Sequence, residues 1–166
     1  MPIWIVAVLA SVAVAAQTAA PQRRPLLDVT STVSVDRVAP GERFSVSLDL
    51  MPAPRVHVYA PEVTGYKPIA FTVRPQPGLV VRGVTFPPSE PYYYAPLKET
   101  VPVYQKAFRV VQELMLDGSP TGRAALKGLS SVAVQGTLSY QACDDRVCFP
   151  PRSVPMTWTI AVKELP

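Results

Sequence analysis

The chain has 166 residues, 20 prolines, 8 glycines, two cysteines, one histidine and a formal net charge of +4. That length suits one domain, and so many prolines and glycines exclude long helices. The charge is mild and evenly spread, densest at Arg23-Arg24, and no basic stripe interleaves with aromatics, which excludes a nucleic-acid surface.

In chain order, Pro2 to Ala16 (PIWIVAVLASVAVAA) is apolar, uncharged and ends in small residues. This is the profile of a secretory signal peptide, with cleavage expected near Ala16. Cuts after Ala19 or Ala20 also fit, and the only charge of the n-region is the α-amine of Met1. The alternative, an uncleaved anchor, meets a run shorter than the roughly 20 residues a spanning helix needs. No other segment is long and apolar enough to cross, so a soluble, exported mature protein is expected. Residues 17–26 (QTAAPQRRPL) read as a flexible leader and 27–166 as the single domain.

Thereafter the chain reads as short strands between turns. Phe44 to Leu50 alternates apolar and polar residues, the period of a half-buried strand. Val132, Val134, Leu138 and Tyr140 share one parity, as do Met156, Trp158, Ile160 and Val162, so each set lies on one face of its strand. Further strands are expected near 28–35, 55–60, 69–74, 79–84 and 101–115. Ser119 to Leu129 is the one window open to a helix. The proline clusters at Pro52-Pro54, Pro87-Pro88-Pro91 and Pro150-Pro151 read as rigid corners. Many short strands at regular spacing predict an all-β sandwich or barrel.

The chemistry-bearing segment is Leu138 to Pro151, where the two cysteines flank four residues between predicted strands. If residues 144–147 form a hairpin loop, Cys143 and Cys148 face each other directly. Cross-strand Cβ atoms then lie about 4.5–5.5 Å apart, and a disulfide closes with a small adjustment toward about 3.8 Å. Export is compatible with a persistent bond. So short a loop stabilises the fold by only about 2 kcal/mol. A hairpin tip is also open to an attacking thiolate. Spacing alone leaves both a structural staple and a reactive bond open. Arg146 favours a thiolate, whereas Asp144 and Asp145 oppose it. The motif is not CxxC, and no βαβ pattern surrounds it. Two cysteines with no His or Cys set nearby speak against zinc. One histidine and four methionines speak against copper.

Tyr140-Gln-Ala-Cys-Asp-Asp-Arg-Val-Cys-Phe-Pro-Pro151, followed by Val154-Pro-Met-Thr-Trp158, resembles the N-terminal periplasmic domain family of the thiol:disulfide interchange protein DsbD. In that family a Tyr-Gln-x-Cys segment, a second cysteine, an aromatic and Pro-Pro occur together. The resemblance extends over roughly residues 27–163. It implies an immunoglobulin-like β-sandwich and dithiol–disulfide exchange without cofactor or metal. Electrons would come from a thioredoxin-like domain, supplied by a membrane partner, and pass to oxidised periplasmic proteins. Cys143 and Cys148 would be the redox pair, with Cys148 matching the cysteine that forms mixed disulfides.

The family also shields its cysteines with a loop bearing an acidic residue and an aromatic. Ser89 to Pro96, with Glu90, Tyr92, Tyr93 and Tyr94, lies at the matching place before Val103-Tyr-Gln-Lys106. The same stretch also reads as a proline-rich surface loop. Val56 to Ala60 matches a strand near the site, so Tyr59 and the lone His57 become neighbours, with His57 a candidate for proton transfer. Tyr140 and Phe149 flank the pair. Four residues separate the cysteines here and five in better-known members. The chain shows neither a membrane nor a thioredoxin-like domain, so the reductant is expected on a separate chain. The competing expectation is an exported immunoglobulin-like binding or assembly module whose disulfide only pins a hairpin.

Overall fold

A computed structural model describes residues 25–95 and 97–163. The expected signal segment and most of the leader lie outside the described residues. The elements follow in the order β1 (Leu27–Val33), β2 (Arg37–Val38), β3 (Arg43–Pro52), β4 (His57–Tyr59), β5 (Ala70–Val73), β6 (Leu79–Thr85), β7 (Glu90–Tyr94), β8 (Glu99–Tyr104), β9 (Phe108–Leu116), α1 (Pro120–Leu126), β10 (Ser131–Tyr140), β11 (Ala142–Cys143) and β12 (Arg152–Val162).

Alternation decides which faces are buried. Along β3, Phe44, Val46, Leu48 and Leu50 turn inward, and along β9 Val110, Leu114 and Leu116 do the same. β10 contributes Val132, Val134, Leu138 and Tyr140, and β12 contributes Trp158, Ile160 and Val162. Two four-stranded sheets, in the orders β1-β3-β9-β6 and β2-β12-β10-β5, close these side chains into one core. The result is the all-β, immunoglobulin-like sandwich that the resemblance implied. Trp158 ties the layers together: its Nε1 donates to Ser31 Oγ on β1 at 3.0 Å, which satisfies the indole N–H inside the sandwich. Gln112 is the polar residue of this core. Its Nε2 donates to the carbonyls of Arg82, Gly83 and Glu113, where β6 slips register against β9.

A third small sheet, in the order β11-β4-β8-β7, stands beside the sandwich and carries Cys143. It accounts for two departures from the expected elements. The single strand expected over 101–115 is two strands, because the chain changes sheet between Tyr104 and Phe108. Buried positions switch there from odd numbers (Val101, Val103) to even ones (Val110, Leu114, Leu116). Tyr104 stacks on Phe108 across the break, with ring centroids 4.1 Å apart. The expected loop at 89–96 contains strand β7. Pro91 is tolerated because β7 pairs only with β8 and so forms an edge. The window open to a helix does turn helical. Ser119 Oγ caps α1 by accepting from Gly122 N at 3.1 Å, and Pro120 takes the first helical position.

Candidate redox site

β10 and β12 form a ten-pair antiparallel ladder that ends at Tyr140↔Arg152. Beyond that end the chain continues as the cysteine hairpin. Cys143 and Cys148 bridge the two limbs, with Cα atoms 4.0 Å apart and the sulfurs bonded. Asp144 N donates to Val147 O at 3.0 Å, and Phe149 N donates to Ala142 O at 2.9 Å. The backbone bonds therefore lie on either side of the cysteine pair. That makes it the non-hydrogen-bonded kind, in which facing side chains come closest and a disulfide fits.

The two sulfurs meet different surroundings. Cys143 is paired with β4 opposite His57 and is 1% exposed. It packs in a small apolar cluster with Tyr59, Val63, Val101 and Val103. Cys148 lies on the outer limb and is exposed. Tyr59 Oη stands 3.6 Å from Cys148 Sγ. Burial pushes the Tyr59 phenol up to about 12, with smaller contributions from Tyr66 and Glu99. The group stays protonated at neutral pH and so has a proton to donate to sulfur. His57, 3% exposed, is pushed below its ordinary value by burial, against a weaker opposing pull from Asp144. It is a neutral imidazole at neutral pH.

The fold gives Asp144 a role in the loop itself. The Asp144 carboxylate accepts from Arg146 N and Val147 N, both at 2.8 Å. These bonds hold its pKa below the usual range, with Arg146 and Arg55 adding to the effect. The carboxylate thus closes the loop tip in an Asx turn while keeping its charge. At the base, Gln141 Nε2 donates to Phe149 O at 3.1 Å.

Above the pair lie aromatics. His57 sits 4.3 Å from the Tyr92 ring and edge-on to Tyr59 at 5.7 Å. Tyr59 stacks on Tyr66 at 4.4 Å, and the Tyr66 hydroxyl donates to Glu99. That bond is the first cause of a Tyr66 pKa raised to about 12. Of the expected neighbours, His57, Tyr59 and Tyr92 are brought together with Cys143. Tyr94 is half-buried on the same face of β7 as Tyr92, opposite Glu99. Tyr93 points to the other face and is 60% exposed. Glu90 is taken up by an ion pair with Lys106 at 2.8 Å. Tyr140 belongs to the sandwich core, and Phe149 packs against that core. Neither ring belongs to the cluster around Cys143.

Sequence reasoning missed Tyr66, Glu99 and the pair Val101 and Val103. The valines do alternate like a strand, but Tyr66 follows Gly65 in an irregular loop and meets Tyr59 only through the fold.

An immunoglobulin-like sandwich bearing one hairpin disulfide, with one cysteine buried and the other exposed, fits the class of all-β thiol–disulfide interchange domains. The model of the family "Thiol:disulfide interchange protein DsbD, N-terminal" matches residues 23–159, and the chain belongs to that family. Among solved structures, the N-terminal periplasmic domain of ScsB from Proteus mirabilis is 14% identical, with a TM-score of 0.51. The match covers 87% of this chain and 49% of that one, so the chain spans about half of that domain's length. That likeness concerns the fold alone. The reduced N-terminal domain of DsbD from Neisseria meningitidis is 18% identical, with a TM-score of 0.46, covering 80% of this chain and 83% of that one. No curated protein matches.

Proposed function

We propose that this domain passes electrons through Cys143 and Cys148 between a reductant on another chain and oxidised envelope proteins. The observation that supports this reading is the unequal exposure of the two cysteines, Cys143 buried and Cys148 exposed, which makes Cys148 the one an incoming thiolate would attack.

Reduction then runs in two displacements. A partner thiolate attacks Cys148 Sγ, a mixed disulfide forms, and Cys143 leaves as a thiolate. The partner's second thiolate attacks its own sulfur in the mixed disulfide, and Cys148 leaves as a thiolate. The partner is now oxidised and the domain holds the electron pair. Tyr59 Oη, beside Cys148 Sγ, donates a hydrogen bond to that thiolate as it forms. The reduced pair reduces an oxidised acceptor by the same steps in reverse, with Cys148 as nucleophile.

A thioredoxin-like domain or a membrane electron transporter fits the reductant, as the family's redox chemistry suggests. The family also supports a periplasmic site of action. Export through Pro2–Ala16, cleavage near Ala16 and a leader over 17–26 belong to the same reading.

Thiol trapping tests it. A Cys143→Ala variant should capture an oxidised or activated partner as a mixed disulfide on Cys148, and Cys148→Ala should capture none. A reduction potential above about −250 mV places the pair among catalytic disulfides. A potential below about −300 mV, with nothing captured, would reduce the bond to a hairpin staple.

A further inference from the structure

We infer that Gln141 is a positioning residue that keeps the cysteine hairpin closed while its disulfide is open, and so sets the reduction potential of the pair. The inference deepens the exchange reading and rests on it.

The Cys148 limb is weakly held. Outside its bridge to Cys143 it belongs to no strand, and β12 begins only at Arg152. Once the sulfur–sulfur bond is discounted, a handful of contacts tie it to the rest of the molecule, among them Tyr59 Oη beside Cys148 Sγ and the Asp144 N–Val147 O bond. The Asx turn of Asp144 closes the tip. Phe149 N bonds to Ala142 O, and the Phe149 ring packs against the sandwich core. Gln141 Nε2 bonds to Phe149 O. The Ala142 carbonyl and the Gln141 amide together engage both polar backbone groups of Phe149, the residue directly after Cys148: its N–H donates to Ala142 O and its carbonyl accepts from Gln141 Nε2.

Gln141 is well anchored for this task. It lies between Tyr140, the last residue of β10, and Ala142, which is buried and paired with Val58 of β4. Its backbone is therefore fixed on the inner limb while its amide reaches the outer one.

Reduction adds two electrons and two protons and breaks one covalent tie. Whether the thiols then stay within bonding distance depends on the remaining ties. Closure of a dithiol is governed by the effective concentration of one sulfur at the other. A clamp that persists in the reduced state raises that concentration and makes the disulfide harder to reduce. Removing it frees the outer limb to drift and makes the disulfide easier to reduce.

The test is the redox equilibrium of the purified domain in dithiothreitol buffers, followed by alkylation of free thiols. Gln141→Met keeps the length and packing of the side chain and removes the donor. It should be reduced about tenfold more readily, a potential about 30 mV less negative. Gln141→Glu, which sets a carboxylate against the Phe149 carbonyl, should shift it at least as far. Gln112→Leu, remote from the hairpin, should lower stability and leave the potential unchanged. Equal potentials for parent and Gln141→Met would overturn the inference. Should that variant not fold, amide exchange of the parent decides: the Phe149 N–H should stay protected in both redox states, and loss of protection on reduction would overturn the clamp. A small dithiol needs no protein partner, so a domain that traps no partner but shows the shift would sink the exchange reading and leave the clamp standing.

Discussion

Tyr59 is where a single atom changes the chemistry of the site. Its hydroxyl lies 3.6 Å from Cys148 Sγ, and burial pushes its pKa up to about 12, so it is protonated at neutral pH. A donor facing a thiolate stabilises the charged form and lowers the thiol's pKa. In a Cys143→Ala background, Tyr59→Phe should therefore raise the pKa of Cys148 and slow its alkylation at pH 7 by about three- to tenfold, the worth of one hydrogen bond. The readout is the alkylation rate against pH: the whole profile should move to higher pH, with an unchanged plateau. Asp144 shows the opposite outcome for a charge. Its carboxylate stands next to the redox pair in sequence, yet it is committed to two backbone N–H groups of the loop. Counting charges along Asp144, Asp145 and Arg146 could not reveal that commitment.

At the scale of elements, β10 joins the core to the site. Its inward face runs Val132, Val134, Gly136, Leu138, Tyr140, and its far end leads into the cysteine hairpin. Gly136 breaks that apolar row for a reason that lies on neighbouring strands. A Cβ there would meet Phe71 Cε2 and Trp158 Cζ3 at 3.0 Å, inside an edge-to-face pair whose centroids are 6.0 Å apart. Gly136→Ala should overpack the core and cost about 1–3 kcal/mol, read as a lower urea midpoint. The reduction potential should not move, since the hairpin's own hydrogen bonds are untouched. A shift in both would mean that the β10–β12 ladder transmits core strain to the disulfide. β7 shows a different coupling. Its edge position lets Pro91 sit in a strand, and its pairing with β8 places Tyr92 over His57. A stretch that reads as a proline-rich loop becomes a strand by pairing with residues five to thirteen positions further on.

For the whole molecule, the buried histidine links stability to pH. His57 has a folded-state pKa below its ordinary value of 6.5, with burial as the main cause. As pH falls below about 6.5, the unfolded chain takes up a proton on this residue that the folded chain still refuses. Its contribution to stability is complete above that pH and is lost as pH falls toward the folded value. Urea midpoints of the parent should decline between pH 7 and pH 5, and His57→Gln should flatten that decline. An equal slope in both proteins would assign the effect elsewhere. The carboxylates Glu42, Asp49 and Asp144 are also shifted downward, by a backbone N–H, Arg109 and backbone N–H groups respectively. They act only at lower pH, as each is forced to take a proton.

Much of this was legible in one dimension. Alternation along Phe44–Leu50, Val132–Tyr140 and Met156–Val162 is a local property, because a strand exposes every second residue to the same face. The all-β class followed from it, the choice of a sandwich came from the family resemblance, and the four-residue spacing of the cysteines let them face each other. The Tyr-Gln-Ala-Cys and Phe-Pro-Pro flanks were visible as well, although the work of Gln141 was not. Three things needed the tertiary structure. The break near residue 106 arises because β8 and β9 join different sheets, and a one-residue change of parity is a faint signal of it. The meeting of Tyr59, Tyr66, Glu99 and Tyr92 draws on separate segments joined only by packing. The inequality of the cysteines does so too: Cys143 is buried because β4 pairs with its limb, and Cys148 is open because no strand pairs with the other. Sequence alone put two cysteines at the spacing that lets them face each other across a hairpin; only the fold decided that one of them is buried and the other exposed.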